Sequence, residues 1–282
     1  MPFPYRLAAV DLDDTLLGPD KAISRANAEA VRLLRERGVH IVLASGRRHE
    51  NMLRFHRQLD LGPDDPIVSC NGALVKTAET GYVWHERRVP ADLARDIIAD
   101  GNRQGVTQNY YHPDGNVYVR ERTPWTDLYQ SRTLSDIVVR GDLGSLLHED
   151  GGGAGFPATP LKIIWIDDGA RVAALFPEME ARYEGRLYVT VTDAEYLEFM
   201  APGVNKAEGL AVACAALGIS PHEVVAFGDG NNDVPMLRWA GLGVAMSEAR
   251  ASAKEAADRV APPGDPETSF ARAVEAALRL TP

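Results

Sequence analysis

Two short apolar runs, each breaking abruptly into carboxylates, constrain this chain most. The first, Leu7-Ala8-Ala9-Val10, ends in Asp11-Leu12-Asp13-Asp14-Thr15-Leu16; the second, Val224-Val225-Ala226-Phe227, ends in Gly228-Asp229-Gly230-Asn231-Asn232-Asp233. A brief apolar run bounded by turn residues reads as a buried strand. Carboxylates crowded at such a strand's tip repel one another, and partial burial raises the cost. A divalent metal is the usual offset, and an aspartate held against Mg²⁺ can act as a nucleophile toward phosphorus. In an open parallel sheet, ligands gather outside the carboxyl ends of the strands, where the strand order reverses. The two acidic tips are expected to meet there, although more than two hundred residues separate them.

The chain between the tips reads in three stretches. Residues 6–11 form a strand, and Ser24 N-caps a helix whose apolar Ala28, Val31 and Leu34 recur at helical spacing up to Gly38. A strand over 39–44, a helix over 48–59 and a strand over 66–70 follow. That alternation predicts a parallel, doubly wound sheet. The pattern then changes to a hairpin about Glu79-Thr80-Gly81, a helix from Pro90 and a second hairpin about Pro113-Asp114-Gly115. Beyond lie a strand over 161–166, a helix over 169–183, and alternating Leu187, Val189 and Val191, then Leu197 and Phe199. Strand–helix rhythm resumes after Pro202, with a helix over 205–217, the strand at Val224, a helix over 234–240, a strand over 243–246 and a closing helix over 266–280. The expected fold class is α/β: a doubly wound parallel-sheet core from residues 1–84 and 201–282, with an α+β domain inserted at 85–200.

Composition narrows the partners. Thirty basic against forty acidic residues give a formal charge of −10, which argues against a nucleic-acid backbone binder. No window of about twenty apolar residues exists, so no membrane span is expected. The first residues run straight into a strand with no secretory signal before it, and Cys70 and Cys214 lie in apolar contexts. Buried thiols in a cytoplasmic protein, monomeric or homodimeric, are the expectation. Gly151-Gly152-Gly153-Ala154-Gly155 lacks the Lys-Ser/Thr of a phosphate-binding Walker loop and reads as a connector. The seven histidines have no metal-ligand spacing, so no zinc site is expected.

Four segments in order resemble the motifs of the haloacid dehalogenase (HAD) superfamily of phosphotransferases. They are Asp11-Leu12-Asp13, the strand Ile41-Val42-Leu43-Ala44 ending in Ser45-Gly46-Arg47, Lys206 in Gly203-Val204-Asn205-Lys206, and Gly228-Asp229 through Asp233. Asn71-Gly72-Ala73 and the wide gap before Lys206 resemble the Cof-type phosphatases, which carry an α/β cap in that gap. The resemblance spans residues 5 to 275. It implies a Rossmann-like core and a Mg²⁺-dependent phosphatase of small phosphorylated metabolites, such as sugar phosphates or phosphorylated cofactors, working through an aspartyl-phosphate. A phosphosugar mutase on the same scaffold and a non-catalytic metabolite-binding regulator are the alternatives.

By that resemblance Asp11 is the nucleophile, Asp13 the general acid and base, and Lys206 the cation between Asp11 and the phosphoryl group. Mg²⁺ is held by Asp11, the Asp13 carbonyl and Asp229, with Asp233 supporting the site from behind. Asp13 reaches the side opposite Asp11 if the chain stays extended or turns at Leu12. Ser45 offers a hydroxyl and Gly46 an approachable amide to the phosphoryl oxygens. Arg47 reaches substrate oxygens or makes a surface salt bridge. Asn232 is expected to orient water, Lys206 or metal, or to bind phosphate. Asn71 contacts substrate or makes a simple Asn-Gly turn. Asp14 stands where the family often has glycine and reads as a turn or cap residue. Thr15 reads as capping the following turn, with a bond to the acid as the other reading. In the insertion, His112, Asp114, Arg120 and Arg122 cluster about a hairpin. The cap is expected to close over the sheet end and select the organic part of the substrate.

Overall fold

The computed structural model describes residues 4–148 and 158–278; the glycine run about Gly153 lies outside them. The chain forms two compact units, one from residues up to His85 and from Asn205 onward, the other from Glu86–Val204.

The first unit opens with β1 (Leu7–Val10), α1 (Arg25–Glu36), β2 (His40–Leu43), α2 (His49–Gln58), β3 (Pro66–Ser69), β4 (Leu74–Thr77) and β5 (Val83–Glu86). All four residues of β1 are fully buried although alternate side chains point to opposite faces, so both faces of the sheet are covered. The insertion carries α3 (Ala91–Gln104), β6 (Thr107–Tyr111), β7 (Val117–Val119), α4 (Pro124–Thr133), β8 (Ile137–Val139), β9 (Lys162–Ile166), α5 (Gly169–Arg182), β10 (Tyr188–Asp193) and β11 (Tyr196–Met200). The first unit resumes with α6 (Lys206–Leu217), β12 (Val224–Gly228), α7 (Val234–Trp239), β13 (Leu242–Ala245), α8 (Ala251–Ala256), β14 (Arg259–Val260) and α9 (Ser269–Leu278).

The core sheet has the order β14-β13-β12-β1-β2, parallel throughout. Leu7 pairs with Val224 on one side and His40 on the other, which puts the tips of β1 and β12 side by side where the order reverses. A parallel bridge from Ala44 to Val68 ties β3 to the edge of β2. One apolar core runs from Leu7 through Phe227 to Phe270. In the second unit a six-stranded sheet, order β10-β11-β9-β6-β7-β8, has its own core about Trp165 and Phe199.

α4, β8, α8 and β14 were not expected from the sequence. α4 buries only Thr126 and Tyr129, so no apolar stripe announces it; Thr123, which caps it, and Pro124 at its first position are its signals. Cys70 and Cys214 are buried free thiols. No helix among the described residues is long and apolar enough to cross a membrane.

Candidate active site

The chain stays extended through Asp11 (φ −69°, ψ 159°), whose amide donates to Phe227 O at 3.1 Å. The tip of β1 is thus stitched to the tip of β12. A wide turn follows, closed by Leu17 N–H to Leu12 O at 2.8 Å. Within it Asp13 is extended (φ −68°, ψ 129°) and Asp14 is left-handed (φ 56°). That region favours glycine and tolerates aspartate better than most residues. Thr15 does not cap the turn; its hydroxyl donates to Asp229 Oδ1 at 3.1 Å.

Lys206 is the first residue of α6, behind an Asn205 N-cap whose side chain accepts from Glu208 N. Its side chain is fully buried, and Nζ donates to Asp11 Oδ1 at 2.5 Å and Asp233 Oδ1 at 2.6 Å. Two glycines let the helix approach. A Cβ on Gly72 (φ 98°) would lie 2.1 Å from Asn205 O, and one on Gly209 2.6 Å from Val68 Cγ1. Cys70 (φ 51°) and Asn71 (φ 57°) share the left-handed turn before Gly72. Cys70 N–H donates to Arg47 O at 2.8 Å and Asn71 N–H to Ser45 O at 3.0 Å. The loop after β2 and the loop after β3 are therefore clasped against the start of α6.

At the tip of β12, Asp233 turns back under the loop. Its Oδ2 accepts from Asp229 N at 2.9 Å and Gly230 N at 2.8 Å. Gly228 makes this fold-back possible, because a Cβ there would lie 2.5 Å from Asp233 Cγ. Asn232 Nδ2 donates to Asn71 Oδ1 at 3.0 Å, joining the fourth motif to the Asn-Gly turn. Ser45 is buried, and its Oγ accepts from Arg47 N at 3.2 Å.

Charge is unevenly balanced across this cleft. The fork of buried Arg47 grips Asp13 through Nε at 2.8 Å and Nη2 at 2.7 Å, and Lys21 lies 3.4 Å from the same carboxylate. Burial works against Asp13's charge, but Arg47 and Lys21 outweigh it and hold the acid below its ordinary value. Asp11 goes the other way, pushed well up by burial and then by Asp233, with Lys206 opposing. Burial, then Asp233 and Asp14, raise Asp229 to about 7. Burial disfavours the Lys206 charge, yet Asp11 and Asp233 keep its pKa above the usual lysine range.

Oxygens of Asp11, Asp229 and Asp233 lie within 4.8 Å of one another. Three carboxylates share one ammonium, a deficit of two positive charges, and all the donors are hard oxygens. Both facts fit a divalent cation such as Mg²⁺. Asp233's oxygens already accept from Lys206 and two amides, which leaves Asp11 and Asp229 as the better placed donors.

Residues 8–267 match the family described as haloacid dehalogenase-like hydrolase. The chain belongs to this family. A HAD-like hydrolase from Bacteroides thetaiotaomicron superposes with a TM-score of 0.84 at 26% identity, covering 96% of this chain and 99% of that one. The 5-amino-6-(5-phospho-D-ribitylamino)uracil phosphatase YitU of Bacillus subtilis is 27% identical over 259 residues, 91% of each chain. The chloroplastic endoribonuclease YBEY of Arabidopsis thaliana is 28% identical over 255 residues, 88% of this chain; the chain spans only 42% of that protein's length.

In this HAD hydrolase the residues singled out in the first unit converge. Asp11, Lys206, Asp229 and Asp233 form one hydrogen-bonded cluster with Thr15, while Asn71 and Asn232 meet beside Ser45 and Gly46. Arg47 makes a bridge from a buried side chain rather than a surface one; its fork grips Asp13. Lys21 and Gly209 were missed, because nothing in their sequence context marks them; Gly72 and Gly228 stood within the segments singled out, but their close approaches were not foreseen. The cluster in the insertion pairs locally: His112 Nδ1 with Asp114 Oδ1 at 2.9 Å, Arg120 with Glu121 at 3.7 Å, and Arg122 with Asp127 at 3.2 Å.

Proposed function

We propose that the protein is a Mg²⁺-dependent phosphatase of small phosphorylated metabolites, sugar phosphates or phosphorylated cofactors, working through an aspartyl-phosphate on Asp11. One observation carries the reading: a buried carboxylate at a strand tip is clamped by a buried lysine beside two further carboxylates. Such an arrangement is costly unless it serves an anionic ligand and a cation. Phosphatase relatives such as YitU support the substrate class.

Asp11 supplies the attacking oxygen; its bond to phosphorus forms as the bond to the leaving oxygen breaks. Lys206 holds Asp11 oriented and meets the phosphoryl oxygens, together with the Ser45 hydroxyl and the Gly46 amide. Asp11, Asp229 and the Asp13 carbonyl would hold Mg²⁺, which when bound would supply the positive charge that lets an anionic nucleophile approach an anionic phosphate. Asp233 fixes the loop and Lys206, and Asn232 with Asn71 borders the phosphoryl site. Asp13 gives a proton to the leaving alkoxide and takes one from the water that cleaves the aspartyl-phosphate. In the free protein Arg47 keeps Asp13 ionised, which suits the base half-reaction. Transfer of the Arg47 fork to a substrate oxyanion would free Asp13 for the acid half. The unit Glu86–Val204 is proposed to select the organic part of the substrate.

The test is a panel of phosphorylated metabolites, reading released phosphate with Mg²⁺ and with chelator, for wild type and Asp11→Asn. Release that needs Mg²⁺ and vanishes in the variant is expected. Release by folded Asp11→Asn at the wild-type rate would refute the covalent route, and phosphate-free turnover dependent on a bisphosphate would mean a mutase.

A further inference from the structure

We propose that Arg54 binds a second oxyanion, a phosphate or carboxylate carried on the leaving group of the substrate. This deepens the phosphatase reading and rests on it. Arg54 lies on α2, outside the four motifs. Its guanidinium carbon sits 4.3 Å from the centre of the Phe55 ring, and that of Arg47 lies 5.7 Å from the same ring. Phe55 is itself almost wholly buried in the core, so the ring is a fixed platform between the two forks.

The two arginines differ in what they hold. In the free protein Arg47 holds Asp13. Arg54 Nε is buried with no acceptor, and among the described residues no carboxylate pairs with Arg54. Arg57 on the next turn, by contrast, takes Glu79 with two bonds. The half-buried guanidinium has no protein acceptor among the described residues, and the outer edge of its planar fork suits a carboxylate or phosphate. Burial and then the Arg47 charge work against it, while Asp13 favours it, so it lies within the field of the acid–base pair.

Asp13's place fixes which part of the substrate would reach Arg54. The acid acts at the leaving oxygen, not at the transferred phosphoryl. Arg54, close enough to feel the charges of Asp13 and Arg47, is therefore assigned to the organic moiety. The preferred substrates are bisphosphates, diphosphates or phosphorylated carboxylic acids rather than phosphate esters of neutral alcohols.

Three probes with related carbon skeletons separate the cases: glucose 6-phosphate, 6-phosphogluconate and fructose 1,6-bisphosphate. With wild type, kcat/KM for at least one of the two oxyanion-bearing probes should exceed that for glucose 6-phosphate. In Arg54→Ala that preference ratio should fall at least tenfold, chiefly through KM, and Arg54→Lys should restore part of it. Which of the two probes loses more tells carboxylate from phosphate. A wild type that prefers the neutral sugar, or a ratio unmoved in both folded variants, overturns the assignment. Failure of wild type to release phosphate from p-nitrophenyl phosphate would instead overturn the phosphatase reading itself. Should Arg54→Ala not fold, the ratio in Arg54→Lys against wild type decides: a shorter, non-planar cation must lower it.

Discussion

Asp13 and Asp229 sit in one cleft yet titrate in opposite directions. Burial raises both, but Arg47 and Lys21 lie against Asp13 and outweigh it, whereas at Asp229 the Thr15 hydroxyl and the Lys206 charge do not offset burial and Asp233. Removing Asp13 should expose its two roles separately. With Asp13→Ala, an activated aryl phosphate should give a burst equal to the enzyme present and then slow turnover, about 10²–10⁴-fold below wild type. A sugar phosphate should be slow from the first turnover, and equal loss on both without a burst would remove Asp13 from the acid–base role. Asp229 makes a prediction about stability. Its folded pKa of about 7 lies above the ordinary aspartate value of 3.8. Its ionisation therefore does not harm the fold at low pH, and it costs stability as pH rises toward 7. His49, pushed down to about 4 by burial, runs the other way over the same range, so the whole-protein curve mixes the two. The comparison with Asp229→Asn isolates the aspartate. In chelator the variant should be more stable than wild type at pH 7.5, by ~1–3 kcal/mol, by roughly half that or less at pH 5, and no more stable below about pH 3.5. Asp13, held low, contributes stability lost only below about pH 4, outside the interval between pH 5 and pH 7.5. Equal urea midpoints for the two proteins at pH 7.5 would mean that Asp229 is not strained without metal.

At the scale of elements, the site depends on how closely the Cys70–Gly72 turn presses on the start of α6. Gly72→Ala combines a left-handed backbone with a Cβ 2.1 Å from Asn205 O. Strain and overpacking together should cost about 2–4 kcal/mol. The same change at Gly218, the left-handed C-cap of α6, meets nothing within 4 Å and should cost only ~1–2 kcal/mol. Thermal midpoints compare the two, and equal losses would show that close approach is not what limits this turn. These contacts also explain what the sequence could and could not convey. β1 and β12 were legible because an apolar run that breaks into acids is a local pattern, and Lys206 because it stands in the third motif's place after the inserted domain. The Arg47–Asp13 fork joins residues 34 apart through a left-handed turn, and the Thr15–Asp229 bond joins residues 214 apart. No local pattern encodes such pairings. α4 was missed because its two buried residues leave no stripe, and β8 because three residues with two exposed valines make no alternation.

For the whole molecule, the two units have separate apolar cores, and every catalytic candidate lies in the first. Replacing Glu86–Val204 by a short linker should weaken discrimination among sugar and cofactor phosphates, leaving the preference assigned to Arg54, while slow hydrolysis of an activated aryl phosphate survives. A truncated protein that folds and keeps the full-length substrate ranking would place specificity in the first unit. The pairing of β1 has a consequence for how the chain is made. One neighbour, β2, follows about thirty residues later, but the other, β12, arrives only after more than two hundred. At roughly 5–20 residues per second on the ribosome, β1 waits on the order of tens of seconds with one edge unpaired. The insertion leaves the ribosome during that wait, complete with its own core. It can fold before the sheet that flanks it closes, while the exposed edge of β1 is the point at which nascent chains would associate wrongly.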